Sequence, residues 1–569
     1  MSKFNFSRKY ILEILKLYDK HNPHEKIMEH VGIKNLRKSK KSFISRKNFY
    51  GHITASAILL DCSLSKILLV YHNNIKKYLQ PGGHIDENDE TLWKSAYREL
   101  KEETGISNAS FIPFDNKNKD IPFDIDIHKI PENPLKKEPE HIHIDFRYLF
   151  ILDKEKNLKI KKDEVSEVIW KPIDEYFLMD PEKKRVAQKI KKIISEKRDE
   201  LFFDKIAHEF SIDLKNFNIV AVLHIVPDII SFIDILQKLA KNVIVIPKQN
   251  SLSKETLSKI SQKLIYFTNR DELKNINILN KIFKKEEKYI IIDTGGYFAT
   301  LEFNKFIKKR KNIIGIVEDT ENGYQKYEKL KNNISFPIIS VARSELKNNE
   351  DDLVGYSIGF YTEWIIRKLR KMPRYMKCSI IGYGRLGKGI AKYLFNQNIK
   401  PLIYDKDPIK LIESFKDGCI PATKEEILKN SELIFCATGN GSLNINDFLK
   451  IYPGCYIASV TSSDDEFDLN DINNYFQKKI ENKFITKYEN ENTYFYLIND
   501  GNTVNFIDKE GDRVSDFIRI VQAEILCALK KLIKEKIKPG IYETTKEEKR
   551  KIASIFLNYY HNFNFQENN

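Results

Sequence analysis

The chain has 569 residues, 41% of them hydrophobic and 31% charged, and its 95 Lys and Arg against 80 Asp and Glu give a formal net charge of +15. That length implies about three or four folding units. The composition excludes a fibrous or wholly disordered chain, and no stretch approaches the roughly 20 apolar residues of a bilayer span.

The basic residues are spread thinly. Their densest run, residues 34 to 48, has one aromatic, Phe43, and reads as a solvated face rather than a nucleic-acid surface. Cysteines 62, 378, 419, 436, 455 and 527 form no CxxC pair; this is the usage of a reducing cytoplasm, with neither a disulfide framework nor a zinc site among them. The opening segment reads as an amphipathic helix without a signal-peptide pattern. A cytoplasmic protein is expected, with a small nucleotide rather than nucleic acid or membrane as its partner.

In chain order, a polar helical segment to about residue 50 precedes strands at ITASAILLD and SKILLVYHN. Glu90 to Thr104 carries Leu92, Ala96 and Leu100 at helical spacing, with Gly105 where a helix-terminating glycine belongs. Strands follow at HIHIDFRYLFILD and EVSEVIWKPI, and a lysine-rich helix after Pro181 reads as the linker between two halves. From about 217, apolar strands alternate with helices, which implies doubly wound parallel sheets. A final helix, SDFIRIVQAEILCALKKLIKEK, and a polar tail from Glu543 close the sequence. No Gly-Lys-Ser/Thr phosphate loop is present, and the acidic run 464 to 473 lacks the glycine and closing glutamate of a calcium loop.

Two stretches carry chemistry. Glu99, Glu102 and Glu103 stand at offsets of zero, three and four on one helix and share a face, where Mg²⁺ or Mn²⁺ removes their mutual repulsion and stabilises charge on a pyrophosphate. Gly82 and Gly83 permit a sharp turn before the helix, and Arg98 can hold a carboxylate through a bidentate pair. The run from PGGHIDENDE to Ile106 resembles the Nudix box. It departs in one place: six residues, not five, separate Gly83 from Glu90. The resemblance covers about residues 1 to 195 and implies an α/β/α sandwich that hydrolyses a nucleoside diphosphate linked to another moiety. It makes Glu99, Glu102 and Glu103 metal ligands, with Glu90 and Arg98 supporting them. His141, His143 and Asp145 alternate along a strand, facing either substrate or core, and Glu164 is a further candidate ligand.

The second stretch, IIGYGRLGKGIAKYL, sets Gly382, Gly384 and Gly387 between a strand and a helix, an arrangement that receives a pyrophosphate on backbone amides. Asp405 ends the next strand, where a carboxylate binds ribose hydroxyls and favours NAD over NADP. Residues 217 to 560 resemble S-adenosylhomocysteine hydrolase, which implies NAD, a homo-oligomer, and site positions at His224, Lys347, Asp351, Thr320, Asn440 and Asn505. The match is incomplete. Thr294, Asp319, Ala342, Asp352, Ser462, Asp512 and Val226 stand where that family has other residues, so hydrolysis of adenosylhomocysteine itself is not expected. Either this half oxidises another nucleoside or sugar with NAD, or it binds NAD or a nucleoside without chemistry, as a sensor or scaffold. The expected domains are 1–195 (Nudix-like), 200–355 with 510–569 (substrate-like) and 356–509 (Rossmann).

Overall fold

The computed structural model describes residues 6–73, 76–115, 117–132, 138–152, 165–179, 181–261, 264–460, 466–504, 516–534 and 536–561. Glu164, Ser462, Asn505 and Asp512 lie outside them. The chain divides into two compact units, residues 1–198 with 557–569, and residues 199–556. The boundary between the units at residues 198 and 199 falls within the helix Pro181–Glu209. Among the described residues no helix is long and apolar enough to cross a membrane.

The first unit is built on a mixed sheet. Its strands are β1 (His52–Leu60), β2 (Lys66–His72), β3 (Lys77–Leu79), β4 (Gly82–His84), β5 (Ala109–Ile112), β6 (Asp124–Ile130), β7 (His141–Leu152) and β8 (Val165–Pro172). The path runs β3-β2-β1-β7-β5, with β4 also paired to β1, β6 to β7 and β8 to β2. Strand alternation sorts the side chains. Ile53, Ala55 and Ala57 of β1, and Ile144, Phe146 and Tyr148 of β7, share one core cluster with Leu92, Ala96 and Leu100 of the helix α1 (Leu92–Thr104). The opposite set of β1 and β7 residues begins with histidines.

The second unit contains two sheets. The first, all parallel, has the order β10-β9-β11-β12-β13-β22, comprising β9 (Leu214–Ile225), β10 (Ala240–Leu252), β11 (Tyr289–Asp293), β12 (Ile313–Glu318), β13 (Pro337–Ser340) and β22 (Gly540–Tyr542). The other runs β16-β15-β14-β17-β18-β21-β20-β19. Its members are β14 (Cys378–Ile381), β15 (Leu402–Tyr404), β16 (Ile420–Pro421), β17 (Leu433–Cys436), β18 (Cys455–Ser459), β19 (Gln477–Asn482), β20 (Ile485–Glu489) and β21 (Tyr494–Ile498), parallel except at β19 and β20. The doubly wound α/β reading therefore holds. The expected polar tail from Glu543 contains a helix, Lys546–His561, that buries Ile552, Ile555 and Phe556, and β22 just before it joins the first sheet. Burial of one apolar stripe outweighs a polar average composition.

Candidate active site and nucleotide cavity

Helix α1 begins at Thr91, whose hydroxyl caps the Lys94 amide, and ends at Gly105 in the left-handed region at φ 72°. Leu92, Ala96 and Leu100 fix its rotation against the sheet, and that rotation brings Glu99 against Gly83 of β4. Glu103 is buried, Glu99 largely so, and Glu102 is about half exposed. An alanine β-carbon at Gly83 would sit 2.7 Å from the Glu99 carboxyl carbon, and one at Gly82 would meet Ser56. Neither glycine adopts positive φ. They lie within the short strand β4, so close approach, not the expected sharp turn, is what requires them.

Arg98 organises this face. Its Nε and Nη2 donate to the two carboxylate oxygens of Asp89, each at 3.0 Å, and Nη2 also reaches the His84 carbonyl at 2.9 Å. Nη1 donates to Glu99 Oε1 at 2.7 Å and lies 3.5 Å from Glu102. Glu90 does not take part: it is mostly exposed and pairs with Lys94. The arrangement brings Asp89, and not Glu90, to Arg98. Two spacings compete, since five residues separate Gly83 from Asp89 and seven separate Glu90 from Arg98. The turn before α1 resolves them in favour of Asp89. Burial works against ionisation of Asp89, but its bond to Arg98 wins and holds its pKa below the usual carboxylate range. Burial pushes Glu99 the other way, upward, against the pull of Arg98. One guanidinium thus serves three carboxylates, and a fourth, Glu103, stands on the same face. Such an oxygen-rich, charge-excess donor set fits a hard divalent cation.

On the other face of the sheet, registry aligns polar side chains. His52 lies opposite His143, Thr54 opposite Asp145, and on the far side of β7 His128 is opposite His143 and Asp126 opposite Asp145. Asp145 accepts the hydroxyls of Thr54 and Ser56 at 2.9 and 2.7 Å and pairs with buried Arg147 at 3.3 Å. It is thus an internal network member. His141 is buried and His143 half-buried. Burial lowers the pKa of His52 to about 4 and that of His143 to about 2, aided by neighbouring imidazoles, so both are neutral. His52 and His128 are signalled in the sequence only by alternation along β1 and β6, and His84 of β4 has no such signal.

In the second unit a cavity of about 920 Å³ is lined by His224, Thr294, Asp319, Thr320, Lys347, Asp351, Gly382, Gly384, Asp405 and Asn440, among others. It gathers nearly all the described candidates. Gly382 adopts φ 101°, and a β-carbon there would lie 2.6 Å from the Ala437 carbonyl. At Gly384, which precedes helix Arg385–Asn396, a β-carbon would meet nothing within 4 Å, leaving the helix N-terminus open. Gly387 is outside the lining: its α-carbon packs on the Gly382 carbonyl, where a β-carbon would approach to 2.1 Å. Asp405 is oriented by the Tyr383 and Asp407 amides at 2.7 and 2.9 Å. Thr320 caps the helix Glu321–Lys329 through the Gly323 amide.

The acid-base candidates are all engaged. Lys347 donates to Glu350 at 2.6 Å with both groups buried, Asp351 accepts from Arg385 at 3.0 Å, and His224 Nδ1 meets the Ser251 hydroxyl. Asp352 pairs with Lys392 at 2.8 Å, and the Ala342 carbonyl accepts from Arg385. Glu350 and Arg385 had no signal in the sequence reading, because the residues they pair with were weighed alone.

Residues 51–194 match the model of the NUDIX domain, and residues 365–509 that of the S-adenosyl-L-homocysteine hydrolase, NAD binding domain. The S-inosyl-L-homocysteine hydrolase of Methanopyrus kandleri is 24% identical over 279 residues, covering 48% of this chain and 65% of that protein. The adenosylhomocysteinase of Thermotoga maritima is 23% identical over 368 residues, 62% of this chain and 90% of its own. The chain thus spans about two thirds of the first relative's length. A NUDIX family hydrolase structure from Clostridium perfringens is 20% identical and covers 25% of this chain and 97% of that one, with a TM-score of 0.20.

Proposed function

From a chain that joins a Nudix domain to an adenosylhomocysteinase-type NAD-binding domain, we propose a metal-dependent pyrophosphohydrolase acting on a nucleoside diphosphate linked to another moiety, coupled to an NAD-binding half with an altered site. The carrying observation is Arg98, which ties Asp89, Glu99 and Glu102 together. Glu99, Glu102 and Glu103 would hold Mg²⁺ or Mn²⁺. When bound, the ion neutralises charge on the pyrophosphate and lowers the pKa of water. Arg98 fixes Glu99 so that its oxygens are already placed, which avoids reorganisation at the moment of reaction. Glu102, half exposed and only distantly paired, has the freedom to take a proton from the attacking water. Replacing Glu102 and Glu103 by glutamine is expected to abolish release of the nucleoside monophosphate from such diphosphate substrates; undiminished release would overturn the reading.

For the second half we infer NAD binding without adenosylhomocysteine hydrolysis. Gly382, Gly384 and Asp405 would receive the dinucleotide, which supplies a hydride acceptor when bound. Threonine at 294 offers no proton acceptor, and Lys347 and Asp351 are already neutralised by Glu350 and Arg385. These pairings favour a binding or sensing role over a second redox activity. Mass spectrometry of small molecules released on denaturation tests the first part, with NAD expected. Appearance of NADH on adding nucleosides would instead establish the redox reading.

A further inference from the structure

Three imidazoles from two adjacent strands converge on the face of the first sheet opposite α1. His52 of β1 is in register with His143 of β7, and His141 precedes His143 by two residues and so shares its side. Their ligand nitrogens all lie within 4.8 Å of one another. His141 Nε2 and His143 Nε2 are 3.3 Å apart, close to the roughly 3.3 Å separating two nitrogens bound tetrahedrally to one ion at about 2.0–2.1 Å. His84 of β4 brings its Nε2 to 3.1 Å from His52 Nε2.

The surroundings orient these rings for ligation. His141 Nδ1 lies 2.8 Å from the Pro139 carbonyl, which places the proton on Nδ1 and turns the Nε2 lone pair toward His143. This is the outer contact that metal-binding histidines ordinarily make. Nearby carboxylates are otherwise occupied: Asp145 by Thr54, Ser56 and Arg147, and Asp126 by His128 and Arg147. The cluster therefore presents nitrogen donors alone, whereas the face of α1 presents oxygen donors.

The geometry points to a second metal site, held by His52, His141 and His143 with His84 within reach as a fourth ligand, that takes a late first-row divalent ion of the zinc class. Imidazole sets select such ions over Mg²⁺ and Mn²⁺, which prefer oxygen. The site is independent of the Nudix carboxylates. Through His84 it would fix β4, whose Gly83 abuts Glu99.

The test uses the full chain, stripped with a chelator and titrated with Co²⁺ alone. One equivalent should develop the visible absorption of a low-symmetry nitrogen site, and Zn²⁺ should displace it. X-ray absorption of the zinc-loaded protein should show at least three imidazole ligands. His143→Gln should weaken Zn²⁺ binding by more than the roughly 10–100-fold cost of losing an outer contact, whereas Glu102→Gln with Glu103→Gln should leave it unchanged. The proposal fails if folded wild-type protein binds no stoichiometric Co²⁺, or if zinc is surrounded by oxygen alone. It also fails if binding survives His143→Gln and disappears with the glutamate pair. The absorption measurement needs no variant, so misfolding of His143→Gln cannot obscure the outcome.

Discussion

Arg98 and Asp89 meet fork to fork, two parallel N–H···O bonds of 3.0 Å each joining the helix to the loop before it. The same guanidinium reaches Glu99, so the loop carboxylate positions a residue of the proposed metal set through Arg98. Asp89→Asn should lower kcat by about 10–100-fold, the range typical of losing a contact that orients a ligand. Glu90→Gln, which breaks only an exposed pair with Lys94, should stay within about twofold. Steady-state release of nucleoside monophosphate by both variants distinguishes the two register readings; a larger loss at Glu90 would reverse the assignment.

Gly83→Ala would place a methyl group 2.7 Å from the Glu99 carboxyl carbon. Glu99 must move, while the core of Leu92, Ala96 and Leu100 on the far side of the helix is untouched. We expect a fall in kcat of at least about tenfold, as displacements near 1 Å commonly cost more than that. Thermal unfolding should shift by a few degrees at most, and a collapse in stability would mean that Gly83 serves folding instead.

Lys347 and Glu350 form a buried pair at 2.6 Å. Removing one partner strands a charge, which costs about 3–5 kcal/mol, while exchanging both for apolar residues is often close to neutral. Glu350→Leu should therefore destabilise the second unit strongly, and Lys347→Met with Glu350→Leu should recover most of the loss. Urea unfolding in a double-mutant cycle reads the coupling; additive effects would show that the pair is not energetically linked.

The pH dependence of the metal-free first unit follows from its neutral histidines. The folded pKa of His52 is lowered to about 4 and that of His143 to about 2, both by burial first, against about 6.5 when unfolded. Below about pH 6.5 the unfolded chain binds protons that the folded state refuses, so stability falls as pH drops toward 4. The slope is about 1.4 kcal/mol per pH unit for each histidine. Chemical denaturation at pH 7.5 and 5 should show this loss, and His52→Gln should remove part of it; a pH-independent midpoint would contradict it.

Asp405 is held by two backbone amides at the end of β15 with its carboxylate on the cavity. Asp405→Asn should weaken NAD binding by about tenfold, the worth of a charge-assisted hydrogen bond. It should also narrow discrimination against NADP, whose added phosphate the carboxylate repels. Titration calorimetry with both dinucleotides checks this, and equal affinity of wild type for both would refute the role of Asp405.

The sequence by itself determined what depends on local spacing. Residues three and four apart share a helix face, so Glu99, Glu102 and Glu103 were legible as one group, and glycines between a strand and a helix announced the second site. The alternation of apolar strands with helices likewise set the α/β class. Tertiary structure decided what depends on partners distant in sequence. Whether Asp89 or Glu90 meets Arg98 turned on the path of one loop, and Gly83 was explained only by the carboxyl packed against it. Lys347 and Asp351 looked like free acid-base groups until Glu350 and Arg385 were found against them. The histidines lie up to 91 residues apart, from 52 to 143, and only strand registry brings them to one face. Local order follows from backbone geometry along the chain, whereas charge pairing and ligand convergence arise when separate strands and helices pack.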